Sequence, residues 1–136
     1  MGVSLVYKLI VRWADGRDCP YCGRTMSLKY GAHDRDFPTR DHIRARIAGG
    51  GKRVMVCRRC NLDKGALSLV EWQLRLRQNA DPRQSYVARF YFRWESGEVD
   101  KDIEAMEKEL EQIAQGLNTR KGMVNRVARA IKRAGK

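Results

Sequence analysis

Two C-x-x-C pairs, Cys19/Cys22 and Cys57/Cys60, constrain what this chain can fold into more than any other feature. Two ordered pairs supply four soft thiolates, which suit a tetrahedral zinc ion. Neighbouring arginines favour the thiolate form of each cysteine. A redox dithiol would account for one pair; two pairs point to a structural metal site. Thirty-four residues separate Cys22 from Cys57. An ion held by both pairs ties the ends of that insert together and brings Asp41, His42 and Asn61 near one another. A site with four cysteine ligands is closed, so this zinc folds the chain and performs no chemistry itself. At 136 residues the chain has room for one modest core, and small cores gain from such a staple.

The charge balance narrows the partners. Twenty-eight Lys and Arg oppose sixteen Asp and Glu, a formal net charge of +12. That excess attracts polyanions, of which nucleic acid is the common one. No run of about eighteen apolar residues is present, so no transmembrane helix is expected. The opening "MGVSLVYKLIVRW" lacks the basic–apolar–small order of a secretory signal. Gly2 matches only part of a myristoylation signal, with Val6 where Ser or Thr is needed. A cytoplasmic protein is expected, and cysteines there are reduced, which again favours metal over disulfides.

Along the chain, Val3, Val6, Tyr7 and Ile10 fit a helical stripe, though the β-branched content also allows a strand. "ADGRD" reads as a turn and Cys19–Gly23 as a zinc knuckle. Residues 24–40 are polar and irregular. The patterning predicts a strand over Arg40–Ile47, a turn at Gly49-Gly50-Gly51 and a second strand over Arg53–Val56. A helix is predicted from Cys57 or Arg58 to a C-terminal cap at Gly65. Ser68-Leu69-Val70-Glu71 is a capping box, opening a helix that turns Trp72 and Leu76 inward. Asp81-Pro82 starts another helix, which carries Val87, Phe90, Tyr91 and Trp94 on one side and ends at Ser96-Gly97. From Asp100 onward, Ile103, Met106, Leu110, Ile113 and Leu117 form a short heptad seam. It suits packing against a neighbouring helix, with self-association as the alternative. That helix is acidic. After Asn118 the acids stop, and Arg120, Lys121, Arg126, Arg129, Lys132 and Arg133 follow on a basic amphipathic segment. This tail is suited to phosphates or to the acidic helix before it.

The insert carries a second constellation. Hydrolysing a phosphodiester needs a base to activate water, a hard cation to stabilise charge, and positive groups to hold the backbone. Histidine is the residue type whose ordinary pKa suits a base near neutrality, and His42 can serve as one. Asp41 is a hard oxygen ligand for magnesium or manganese, and the Asn61 amide oxygen is another. Lys64 lies three residues beyond Asn61 on the same helical face, where it can hold a phosphate. One difficulty is geometric: a regular strand sends the adjacent side chains of Asp41 and His42 to opposite faces. His33 reads as a loop residue. Trp72, Tyr86, Phe90 and Trp94 could stack on bases, but their spacing favours core.

In its order of Cys pair, Asp-His, Gly-Gly, Cys pair with Asn, and Lys-Gly, the stretch from Cys19 to Gly65 resembles the zinc-bound HNH endonucleases of phages and bacteria. The resemblance covers about a third of the chain. It implies an α+β fold: a small zinc-stapled ββα-metal core with a helical C-terminal extension. The division expected is a nuclease-like domain over 1–78 and an extension over 79–136. The resemblance further implies His42 as general base, Asp41 and Asn61 as ligands of a catalytic magnesium or manganese ion, and Lys64 as the basic position after that Asn. The four cysteines match the family's structural zinc. Duplex DNA is the implied substrate, cut to 5′-phosphate and 3′-hydroxyl ends in a bacterial or phage-infected cytoplasm. Arg40, Arg44, Arg58 and Arg59, with the basic tail, are expected to contact its backbone. Two positions depart from the family pattern. Lys52 stands where these proteins commonly carry Asn, and Ala45 where they often carry Pro. Lys52 is compatible with a slower enzyme, with a substitute such as Asn79, or with a site that does not cut. Two further readings stand beside the enzyme: a non-catalytic zinc-stabilised nucleic-acid-binding module, and an assembly protein or homodimer using residues 103–117.

Overall fold

The computed structural model describes residues 5–43 and 51–117. Helix α1 (Leu5–Ala14) resolves the helix-or-strand choice at the N-terminus in favour of the stripe, burying Leu9, Ile10 and Ala14. Strand β1 (Pro38–His42) pairs antiparallel with β2 (Arg53–Cys57). Helices α2 (Arg58–Lys64), α3 (Leu69–Gln78), α4 (Arg83–Glu95) and α5 (Glu98–Leu117) follow. The fold is therefore a small α+β arrangement.

The strands form where β-branched residues and a fixed register coincide. Pro38 faces Cys57, Thr39 faces Val56, Arg40 faces Met55, Asp41 faces Val54 and His42 faces Arg53. Proline is tolerated as the first residue of an edge strand. The expected start at Arg40 is thus corrected to Pro38: pairing with Cys57 extends the strand toward the cysteines. Residues 44–47 of the expected strand, and most of the glycine turn, lie outside the described residues. Two strands alone are marginal in water, so this pair depends on its cover. Helix α2 packs on both strands, and α1 approaches from elsewhere on the hairpin.

Local rules place the helix ends. Gly65 closes α2 with φ of 54°, its N–H donating to the Asn61 carbonyl. Ser68 and Glu71 form the full reciprocal capping box at the start of α3. The polar run before β1 is pinned by Arg24, whose guanidinium makes two 2.9 Å bonds to the Asp36 carboxylate.

A single hydrophobic cluster runs through these elements. It joins Leu9 and Ile10 of α1, Val56 and Cys57 of β2, and Trp72 of α3 to Val87 and Phe90 of α4 and Ile103 and Leu110 of α5. It therefore has members on both sides of the 78/79 boundary. The seam residues Ile103 and Leu110 are buried within this core, where α5 packs against α1 and α4. Trp72 and Phe90 are core as expected and Trp94 is partly buried, but Tyr86 is not core. It stays 41% exposed, with its ring laid over Gly23 so closely that a Cβ there would come within 2.7 Å.

Candidate functional site: a four-cysteine metal centre

The knuckle from Cys19 to Gly23 turns tightly, with the Gly23 N–H donating to the Cys19 carbonyl at 2.8 Å and Gly23 at φ of 79°. It presents Cys19 and Cys22 toward Cys57, the last residue of β2, and Cys60 in the first turn of α2. The four sulfurs lie within 4.8 Å of one another. Cys22 Sγ and Cys57 Sγ are 3.7 Å apart. A tetrahedral zinc with Zn–S of about 2.3 Å places its sulfurs about 3.8 Å apart, so this spacing fits the ion.

The surroundings place donors on the sulfurs. The N–H groups of Tyr21 and Cys57 both donate to Cys19 Sγ, at 3.4 and 3.3 Å. Cys57 is lowered to about 7, first by its hydrogen bond with Cys19. Cys22 is also lowered, again first by Cys19, whereas Cys19 is raised, first by its hydrogen bond with Cys22, and Cys60, though lowered by Cys19, is raised more by Cys22, Cys57 and burial. A partner not foreseen from the sequence is Arg83. Its guanidinium reaches Cys60 Sγ at 3.7 Å, Asp63 at 2.9 Å and Asp81 at 2.8 Å, and lies over the Trp72 ring. Such outer partners orient ligands and offset the charge of a thiolate cluster. The only signal in the sequence was a basic residue just inside α4, two residues after Asp81.

Adjoining the cysteines is a buried polar network. Asp41 is 4% exposed. Its Oδ2 accepts from the Tyr21 hydroxyl at 2.8 Å and lies 3.3 Å from Lys64 Nζ. Lys64, 1% exposed, also donates to the His42 carbonyl at 3.2 Å. Desolvation raises the Asp41 carboxyl above its ordinary value, while Lys64 and Tyr21 oppose that rise. Asn61 spends its amide nitrogen on β1, donating to Thr39 Oγ1 and the Arg40 carbonyl, each at 3.0 Å. Its amide oxygen takes part in neither bond.

The sequence-derived site is thus brought together in part. Asp41 and Lys64 meet, and Asn61 is fastened beside them on β1. The ladder stays regular through His42 and Arg53, so neighbouring side chains leave the strand on opposite sides. Arg40 turns to α5, where it meets Glu107 at 3.2 Å and lies over the Tyr7 ring; Asp41 turns to α2 and Tyr21. For a divalent ion, Asp41 and Asn61 offer the right hard-oxygen chemistry. Because Asp41 Oδ2 is already engaged, an ion bound without rearrangement would use its other oxygen. Lys64 is enclosed, so a phosphate reaches it only if this network opens.

Lys52 pairs with Glu104 of α5 at 3.0 Å. Asn79 is the C-cap residue of α3. Arg58 donates to the carbonyl of His33, an exposed turn residue, and Arg59 pairs with Asp63 one helical turn away. Arg44, Arg120, Lys121, Arg126, Arg129, Lys132 and Arg133 lie outside the described residues. A separate cavity of about 330 Å³, with Trp13, Met26, Phe90 and Ile103 among its walls, touches none of Asp41, His42, Asn61 or Lys64. Among the described residues no helix is long and apolar enough to cross a membrane. Comparison of the chain with protein-family models, curated proteins and solved structures finds no match.

Proposed function

We propose that this chain is a zinc-stabilised, divalent-metal-dependent DNA endonuclease or nickase of the HNH kind. The observation that carries this reading is the order β1, β2, α2 closed on four cysteines. Asp41 and His42 end the first strand, and Asn61 is bonded back to that strand from the helix. In this reading the end of β1 twists so that His42, which leaves the regular ladder on the side opposite Asp41, joins it and takes the proton of the attacking water. Asp41 and the Asn61 oxygen hold magnesium or manganese, which when bound stabilises charge on the phosphate and leaving oxygen. Lys64 serves as the counter-ion that keeps Asp41 ionised and in place. Arg40, Arg44, Arg58, Arg59 and the basic tail hold the DNA backbone, giving strong salt dependence and little base selectivity. The cytoplasm of a bacterial or phage-infected cell is its expected place of action.

A second reading has its own support. Asp41 is buried and already bonded by Tyr21 and Lys64, as in a framework that folds without cutting. That describes a zinc-stabilised nucleic-acid-binding module. Nicking of supercoiled plasmid with manganese or magnesium separates the two. The nuclease reading expects cleavage by the parent, and none by His42→Ala at equal zinc content and DNA affinity. Absence of cleavage in both, with DNA still bound, selects the binding module. Equal cleavage in both removes His42 from its role.

A further inference from the structure

We infer that Tyr21 is a positioning residue that couples the four-cysteine centre to Asp41; this rests on the nuclease reading of Asp41. Tyr21 lies between two of the sulfur ligands, and its own N–H donates to Cys19 Sγ. Its side chain is completely buried, with the ring edge-on to Trp72 at 5.3 Å and to Phe90 at 5.1 Å. Packing alone needs only the ring, and phenylalanine would supply that. The hydroxyl is the additional feature, and it donates to Asp41 Oδ2 at 2.8 Å. From Asp41 the chain of contacts continues to Lys64 Nζ and on to the His42 carbonyl. Asp41 is thereby tied to the knuckle through its carboxylate, and His42 through its main-chain carbonyl alone.

The consequence is directional. Closing the knuckle around zinc fixes the Tyr21 backbone, and the two ring contacts fix its hydroxyl. The hydroxyl and the Lys64 ammonium then hold one carboxylate oxygen from two directions, which leaves the other as the oxygen for a divalent ion. A residue that orients a metal ligand in this way is commonly worth about 10–100-fold in metal affinity or activity.

The test is Tyr21→Phe in zinc-loaded protein, with Val87→Ala, a buried α4 residue that makes neither ring contact to Tyr21, as a packing control. Zinc content, manganese affinity by calorimetry and plasmid nicking are measured for each. The expected result is an unchanged zinc content in Tyr21→Phe, with manganese affinity and nicking both reduced about tenfold or more. Val87→Ala should lower the melting temperature and leave manganese affinity near that of the parent. If the parent binds manganese and nicks DNA but Tyr21→Phe matches it, Tyr21 has no positioning role while the nuclease reading stands. Loss of zinc from Tyr21→Phe, or equal damage in Val87→Ala, makes Tyr21 a structural residue and overturns the inference. A parent that neither binds manganese nor nicks overturns the nuclease reading itself, and the inference with it.

Discussion

An ammonium and a carboxylate taken out of water together, as Lys64 and Asp41 are, hold each other only while both remain. Removing one partner of a buried pair leaves an uncompensated charge, at a cost of roughly 3–5 kcal/mol. Lys64→Met is therefore expected to destabilise the zinc-loaded protein by about that much in urea unfolding. Adding Asp41→Asn should recover part of the loss, because the stranded charge is gone. Equal stability of Lys64→Met and the parent would mean that the pair is not enclosed. Arg53 is the opposite case. It is exposed, lies directly across the ladder from His42, and forms no ion pair with another described residue. In the nuclease reading it should face the DNA backbone, so Arg53→Ala should weaken binding at every sequence and reduce the salt slope by about one. An unchanged slope would take Arg53 off the interface. Sequence position alone brought Asp41, Asn61 and Lys64 to notice, since their types and spacing carry the chemistry. It did not reveal that Lys64 faces inward, because that depends on a tyrosine far earlier in the chain. Tyr21 carries no signal of its own in the sequence beyond its place between Cys19 and Cys22.

Elements were legible wherever their causes are local. The capping box, the glycine end of α2 and the break at Ser96-Gly97 each depend on a few adjacent residues, and each lies where the pattern put it. The start of β1 was not legible, because its register is set by Cys57 on the partner strand. The α5 seam could be read as apolar spacing, but its occupant could not: α1 and α4 cover it within the same chain. Among these local devices the capping box gives the plainest test. Ser68 accepts from the Glu71 N–H at 3.1 Å, and the Glu71 carboxylate accepts from the Ser68 N–H at 2.9 Å. Ser68→Ala should cost about 1 kcal/mol. The cap holds α3 in place, and α3 carries Trp72, against which Tyr21 packs. The variant should nevertheless keep its zinc, since no cysteine moves with the cap. Thermal unfolding with a zinc assay reads both quantities. A weakening of zinc binding well beyond the roughly fivefold that 1 kcal/mol carries would mean that α3 supports the metal centre more directly than its contacts indicate.

At the scale of the molecule, three of the four metal ligands belong to the same buried cluster as the helices of the C-terminal half. The Arg40–Glu107 and Lys52–Glu104 pairs also tie α5 to the strands, but partly exposed pairs of this kind contribute little. The apolar cluster is the stronger connection, and through it an ion held by these cysteines would share one equilibrium with helix packing. A small metal domain that is unfolded without its ion converts metal affinity into folding free energy. Chelating the zinc should therefore remove helical signal from the whole described chain, α4 and α5 included. Leu110 gives the reciprocal test, far along the sequence from any cysteine. It is 3% exposed on α5, and truncating such a leucine to alanine costs roughly 2–5 kcal/mol. If folding and zinc binding are one process, that cost appears as weaker zinc binding, about thirtyfold at the lower figure. Competition with a chromogenic chelator measures it in the parent and in Leu110→Ala. A division into independent units at residue 78 predicts something else: unchanged zinc affinity in the variant, and helices of 79–136 that survive chelation. The sharing of one core by Cys57, Val87 and Leu110 favours the coupled result.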